Sequence, residues 1–173
     1  MTECKTYSQA GQDVWVLSLF PAGYEGYFLD CGCGDAHYHN NTLLLEEHGW
    51  DGLAIDIMDF SAGWKERKTQ FIQANVFVIP DLFPARHVDY LSIDIDTIGA
   101  NYQLLKKFMD CSWSFAVLTI EHNLYLGERY HVKERQPQRE LLIELGYQLV
   151  KADVAYNGNK FEDWWVNPKY IKL

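Results

Sequence analysis

The chain has 173 residues, 48% hydrophobic and 15% aromatic, a composition that excludes disorder and supports one domain with its own core. A net charge of -9 without any lysine or arginine cluster argues against nucleic acid and anionic membrane partners, and for a small-molecule ligand. No apolar run approaches the roughly 20 residues of a membrane span, and the polar stretch Met1 to Ala10 has no signal-peptide core. The expectation is a cytoplasmic single domain over residues 1–173, with a homodimer permitted but not required. The cysteines Cys4, Cys31, Cys33 and Cys111 lack zinc-site spacing; Cys31 and Cys33 are expected to be small buried packing residues.

In chain order, Gln9 to Phe20 has helical periodicity, with Ser8 as its N-cap. After a loop at Pro21 to Gly26, Tyr27 to Cys31 reads as the first buried strand. It runs straight into the glycine-punctuated turn Cys31-Gly32-Cys33-Gly34-Asp35-Ala36. Asn40 to His48 reads as a helix stopped by Gly49, and Gly52 to Ile57 as the second strand, closed by Asp56. Ser61 to Arg67 is a short helix and Thr69 to Val76 the third strand. Ile79 to Arg86, with Pro80 and Pro84, reads as a loop. Asp89 to Ile95 is the fourth strand, Ala100 to Met109 a helix, and Phe115 to Ile120 the fifth strand. Leu124 to Gln136 is irregular. A helix at Pro137 to Leu145 leads to two closing strands, Tyr147 to Val154 and Phe161 to Val166, with a turn at Asn157-Gly158 between them.

Alternating strands and helices followed by a hairpin predict a Rossmann-like α/β domain. Its sheet is mostly parallel and seven-stranded, with an antiparallel C-terminal edge hairpin and helices on both faces. Ligands of such sheets lie at the carboxyl ends of the strands. Here the apolar runs end in polar groups: Asp30 to Asp35, Asp56, Asn75, Asp94-Ile95-Asp96 and Glu121-His122-Asn123. The interval from Asp30 to Asp56 suits the first two strands of a nucleotide-binding unit, with the second acid reaching a ribose.

Several segments together resemble the FkbM-type branch of the class I S-adenosylmethionine-dependent methyltransferases. They are Ser8-Gln9-Ala10-Gly11-Gln12-Asp13, the Asp30 to Ala36 turn, Asn41-Thr42-Leu43-Leu44-Leu45-Glu46 and Gly49-Trp50-Asp51-Gly52-Leu53-Ala54-Ile55-Asp56. Asp89-Tyr90-Leu91-Ser92-Ile93-Asp94-Ile95-Asp96 and Ile120-Glu121-His122-Asn123 complete the set. Gly34, Ala36 and Asp96-Thr97 depart from the usual residues of that branch. The resemblance implies S-adenosylmethionine as cofactor. Gly32 and Gly34 would admit its methionyl part beside Asp30 and Asp35. Asp56 would accept from the ribose hydroxyls, Ile57 would pack on the adenine, Asn75 would sit at its edge, and Gln9 and Gln12 would close the pocket.

Methyl transfer to oxygen needs alignment and proton removal. Asp94, Asp96 and His122 are the candidate catalytic groups. Asp94, Glu121 and His122 are candidate ligands for Mg2+ or Mn2+, similar to catechol-type O-methyltransferases. The acceptor expected is a sugar or natural-product hydroxyl. Trp164 and Trp165, with Tyr125 and Tyr130, would either wall the acceptor or pack the core. Two alternatives stay open: a metal-dependent hydrolase using Asp94, Asp96, Glu121 and His122, and a cofactor-binding module without transfer activity.

Overall fold

The computed structural model describes residues 5–173, so Cys4 and the rest of Met1 to Cys4 lie outside the described residues. Seven strands form one sheet in the order β3-β2-β1-β4-β5-β7-β6. They are β1 (Tyr27–Cys31), β2 (Asp51–Asp56), β3 (Gln70–Gln73), β4 (His87–Ile93), β5 (Ser114–Glu121), β6 (Gln148–Tyr156) and β7 (Asn159–Val166). The first five run parallel, and β7 inserts antiparallel between β5 and β6. The chain reverses its winding between β1 and β4, which opens a crevice at their carboxyl ends.

The helices are α1 (Gln12–Ser18), α2 (Leu43–Glu47), α3 (Ser61–Trp64), α4 (Ile79–Leu82), α5 (Ala100–Asp110), α6 (Glu128–Tyr130) and α7 (Gln136–Glu144). Side chains alternate across the sheet. Leu29, Ile93, Ile120 and Trp165 pack with Leu104, Leu105 and Phe108 of α5 and Leu142 of α7. Phe28, Tyr90, Val117 and Trp164 pack on the other face with Trp15 and Val16 of α1. Both tryptophans of β7 are therefore core residues and form no acceptor wall, because the strand is buried on both faces.

The structure corrects several expected boundaries. Helix α1 starts at Gln12, since Gly11 adopts φ 83 and acts as its N-cap. Ser8 is not the N-cap residue; its hydroxyl donates to the buried Asp13 carboxylate at 2.6 Å and accepts from the Asp13 N–H of the first turn at 3.4 Å. Asp13 also accepts from the Tyr7 N–H at 2.8 Å, so this segment is folded onto the helix end rather than continuing it. Strand β3 stops at Gln73 because Asn75 caps a 3₁₀ turn at Val76–Val78. The expected loop after it contains α4, whose Pro80 sits in the first turn, where a proline costs no hydrogen bond. Between α6 and α7 the chain makes a π-helical turn at His131–Arg135. Asn157 and Gly158 both have positive φ, as a tight two-residue hairpin turn requires.

The tightest point lies where β1 ends. Gly32 has φ +83, and a Cβ there would stand 1.7 Å from the Asp94 carbonyl oxygen. Gly32→Ala combines left-handed strain with a backbone collision. It is expected to cost about 2–5 kcal/mol of stability, read as a lower denaturant midpoint in equilibrium unfolding.

Candidate functional site

Three strand ends converge on a cleft of about 490 Å3, within the size range of small-molecule sites. Gly32 from the β1 turn, Asp56 and Ile57 from the end of β2, Asn75, and Asp96 beyond β4 all line it. Met58, Phe77, Ile95 and Ile98 supply its apolar surface. Ile57 is 66% exposed, an open apolar face at the cleft rather than a core residue.

Asp56 is held in place by backbone donors. One carboxylate oxygen accepts from Gly34 N–H at 3.0 Å and the other from Met58 N–H at 2.8 Å. Each oxygen keeps a lone pair for a further donor. The Gly32 and Cys33 N–H groups bond to the Ile55 carbonyl at 2.9 and 3.2 Å, which fixes the turn to β2. The loop after β4 is zipped by Asn101. Its amide accepts from Ile95 N–H at 2.8 Å and donates to the Ile95 carbonyl at 3.2 Å. No residue of the expected site signalled this role for Asn101.

Other expected cofactor residues lie elsewhere. Gly34 does not line the cleft; its N–H grips Asp56 and its carbonyl accepts from Trp64 Nε1 at 3.0 Å. Asp30 is buried on the α1 face of β1, where Thr42 Oγ1 donates to it at 3.1 Å. Burial pushes its carboxyl up to about 6, against the pull of Thr42 and Arg67. Asp35 caps its own turn, accepting from His37 and Tyr38 N–H groups, which lowers its pKa. Gln9 lines a separate small recess. Gln12 is buried, accepts from Ala10 N–H at 2.8 Å and hydrogen-bonds Glu162. Cys31 and Cys33 are buried, and burial pushes both thiols far above their ordinary range, which leaves them inert.

The acidic groups sort by sheet face. Ile93 pairs with Ile120, and Glu121 pairs with Glu162. The next residue on β4 is Asp94, so three neighbouring strands carry Asp94, Glu121 and Glu162 in one row. Asp94, Asp96 and Glu121 bring carboxylate oxygens within 4.8 Å of one another. None of these three, nor Glu162, is among the described ion pairs with Lys or Arg. Burial and the facing Asp94 carboxyl push Glu121 well above the ordinary glutamate range. Burial also raises the Asp94 carboxyl, against the neighbouring Glu121, which favours the Asp94 charge. Burial lifts Glu162 to about 8, although the Trp164 indole N–H donates to it.

His122 does not join this row. It directly follows Glu121, so strand alternation sends it to the opposite face, where it is fully buried. Its Nε2 lies 3.5 Å from Asp163 and 3.6 Å from Asp153. Arg139 bonds Asp163 with two nitrogens at 2.6 and 2.7 Å, and Arg135 bonds Asp153 at 2.6 and 2.7 Å. Burial opposes the charge of Asp163, but the Arg139 hydrogen bonds, with the His122 ring close by, outweigh it and hold its pKa below the usual carboxylate range. With both carboxylates occupied by guanidinium groups, this cluster clamps α7 to the hairpin. Of the expected metal trio, the structure brings Asp94 and Glu121 together with Asp96 and sets His122 apart in the other cluster. The four-residue hydrolase set is likewise not assembled.

No family model matches the chain, and no curated protein matches its sequence. Solved structures do share its architecture. A Clostridium thermocellum protein assigned as an rRNA-methylase superposes with a TM-score of 0.63 at 15% identity, over 94% of this chain and 97% of its own. A Listeria monocytogenes protein assigned as an S-adenosylmethionine-dependent methyltransferase superposes with a TM-score of 0.61 at 14% identity, over 91% of this chain and 98% of its own. The bifunctional kinase-methyltransferase WbdD gives 0.59 at 16% identity, over 92% of this chain and 37% of its own. At these identities the likeness is one of fold. No helix among the described residues is long and apolar enough to cross a membrane.

The raised Glu162 pKa fixes the sign of a pH effect. At pH 6–8 the unfolded chain has lost this proton while the folded chain retains it, so stability falls as pH rises toward about 8. One proton contributes at most about 1.4 kcal/mol per pH unit. Glu162→Gln is expected to flatten the decline between pH 6 and 8 in chelator-treated protein, measured as denaturant midpoints against pH.

Proposed function

We propose that this protein is an S-adenosylmethionine-dependent methyltransferase of the FkbM-type branch that methylates a hydroxyl oxygen of a small molecule or sugar. The observation that carries the reading is the cleft itself. A side-chain-free turn, an Asp56 carboxylate fixed by two N–H donors and an apolar wall meet at the sheet's switch point. The donor set fits the cofactor: a fixed carboxylate for ribose hydroxyls and the exposed Ile57 for a purine ring. When bound, S-adenosylmethionine supplies a methyl group already made electrophilic by its sulfonium.

The chain's own work is alignment and proton removal. Asp56 holds the ribose, and Asn75 stands at the far end of the cleft with its Oδ1 accepting from Phe77 N–H at 3.0 Å. Asp96 lies both on the cleft and in the carboxylate cluster, so it marks where cofactor and acceptor meet. An acceptor hydroxyl placed there would have to give up its proton as it takes the methyl group. The hydroxyl proton passes to the Asp94–Glu121 carboxyl pair, whose oxygens stand within 4.8 Å of each other and whose burial favours the protonated form. Asp94, Asp96 and Glu121 also offer three hard oxygens to Mg2+ or Mn2+, which would supply Lewis-acid activation of a hydroxyl.

Two measurements test this. Asp56→Ala is expected to weaken S-adenosylhomocysteine binding by about 1–3 kcal/mol in calorimetry. Absence of binding to the folded wild-type protein would remove the reading. Mg2+ or Mn2+ is expected to raise the thermal midpoint of the wild type and to leave Asp94→Asn unmoved. An equal response in both would take the ion away from this cluster.

A further inference from the structure

A second, smaller recess of about 60 Å3 opens on the other side of Glu121, with room for about two water molecules. That suits one hydroxyl-bearing carbon of a larger molecule. Gln9, Glu121, Tyr125, Tyr156, Asn159 and Phe161 line it. Glu121 thus belongs both to this recess and to the carboxylate cluster that reaches the large cleft through Asp96.

The recess is built from distant parts of the chain. Gln9 is delivered by the segment before α1, which Asp13 anchors through the Tyr7 N–H and the Ser8 hydroxyl. Gln12 bridges Ala10 N–H to the buried Glu162 of β7, which stands opposite Glu121. Tyr156 and Asn159 flank the tight turn of the β6–β7 hairpin. Tyr156 is braced by His39, whose ring meets it edge-on at 5.4 Å and whose Nε2 makes a long 3.4 Å hydrogen bond with the Tyr156 hydroxyl, leaving that oxygen capacity for one more partner; Tyr38 stacks on His39 at 3.9 Å. Tyr125 is half exposed at the mouth.

The chemistry of the lining selects a ligand class. Amide and phenol groups each donate and accept, as a hydroxyl does. Among the described residues no lysine or arginine lines the recess, so nothing there pairs with a phosphate or carboxylate. The two nearby arginines of α7 and the π-helical turn, Arg139 and Arg135, are already committed to Asp163 and Asp153.

We infer that this recess is the acceptor subsite, that it takes an uncharged polyhydroxyl acceptor such as a neutral glycoside, and that Gln9, Tyr156 and Asn159 determine its specificity. The inference rests on the methyl-transfer reading for the word acceptor, while the ligand class rests on the recess alone.

The test is saturation-transfer NMR with S-adenosylhomocysteine present. Its panel contains methyl hexopyranosides, the matching uronic acids and hexose 6-phosphates. Signal is expected only from the neutral glycosides, falling at least fivefold in Tyr156→Phe and Asn159→Ala. Calorimetry on the same variants should give S-adenosylhomocysteine affinity within twofold of wild type and an unchanged unfolding midpoint, which separates lost recognition from lost fold. Signal from charged sugars, no signal from the panel, or signal indifferent to both variants would overturn the inference. Neutral-glycoside signal in a wild type that does not bind S-adenosylhomocysteine would strike the methyl-transfer reading and leave a glycoside site.

Discussion

The turn that follows β1 has so little room against the end of β4 that a single added carbon would strike the Asp94 carbonyl. Around this contact, the Gly32 and Cys33 N–H groups bond Ile55, Gly34 N–H bonds Asp56, and Asp94 N–H bonds Cys31. Three adjacent strands are thereby locked at their carboxyl ends. The cleft exists because the turn cannot rise into it, and Asp56 faces it because two backbone donors leave the carboxylate no other orientation. A surface built on backbone geometry is stiffer than one on free side chains.

Beside that rigid turn the sheet gathers negative charge. Asp94, Glu121 and Glu162 occupy one row on β4, β5 and β7, and among the described residues no lysine or arginine pairs with them. Such a row persists only with protons or a cation on it, which is how raised carboxyl pKa values arise here. The opposite face has the reverse arrangement. There Asp153 and Asp163 are matched by Arg135 and Arg139, and His122 is enclosed among them. One face of the same strand ends is compensated and structural, while the other is uncompensated and available for chemistry.

Much of this was legible along the chain. The strand-turn-helix pattern at Tyr27 to Ala36, the acid closing β2 and the Asn-Gly hairpin turn are local signals, because dihedral preference and burial periodicity act over a few residues. Gly32, Asp56, Ile57, Asn75 and Asp96 do meet in one cleft. Gly34 and Asp30 belong to the same motif, yet the bonds they make within the fold, to Asp56 and Thr42, are long-range contacts that the motif does not specify. A motif names the residues a turn needs, and does not say which of them touch a ligand and which hold the turn together.

By itself, the order of residues determined the α/β class, the parallel run, the closing hairpin and the position of the glycine turn, since each follows from short-range sterics and apolar patterning. Tertiary structure alone decided who stands beside whom. Glu121 and His122 are adjacent in the chain yet part to opposite faces, because a strand turns successive side chains by half a revolution. Glu162 lies 41 positions away in the chain from Glu121 and stands directly across from it, because β7 inserts between β5 and β6. Register between strands is a long-range property of the packed sheet, and no local pattern of residues encodes it.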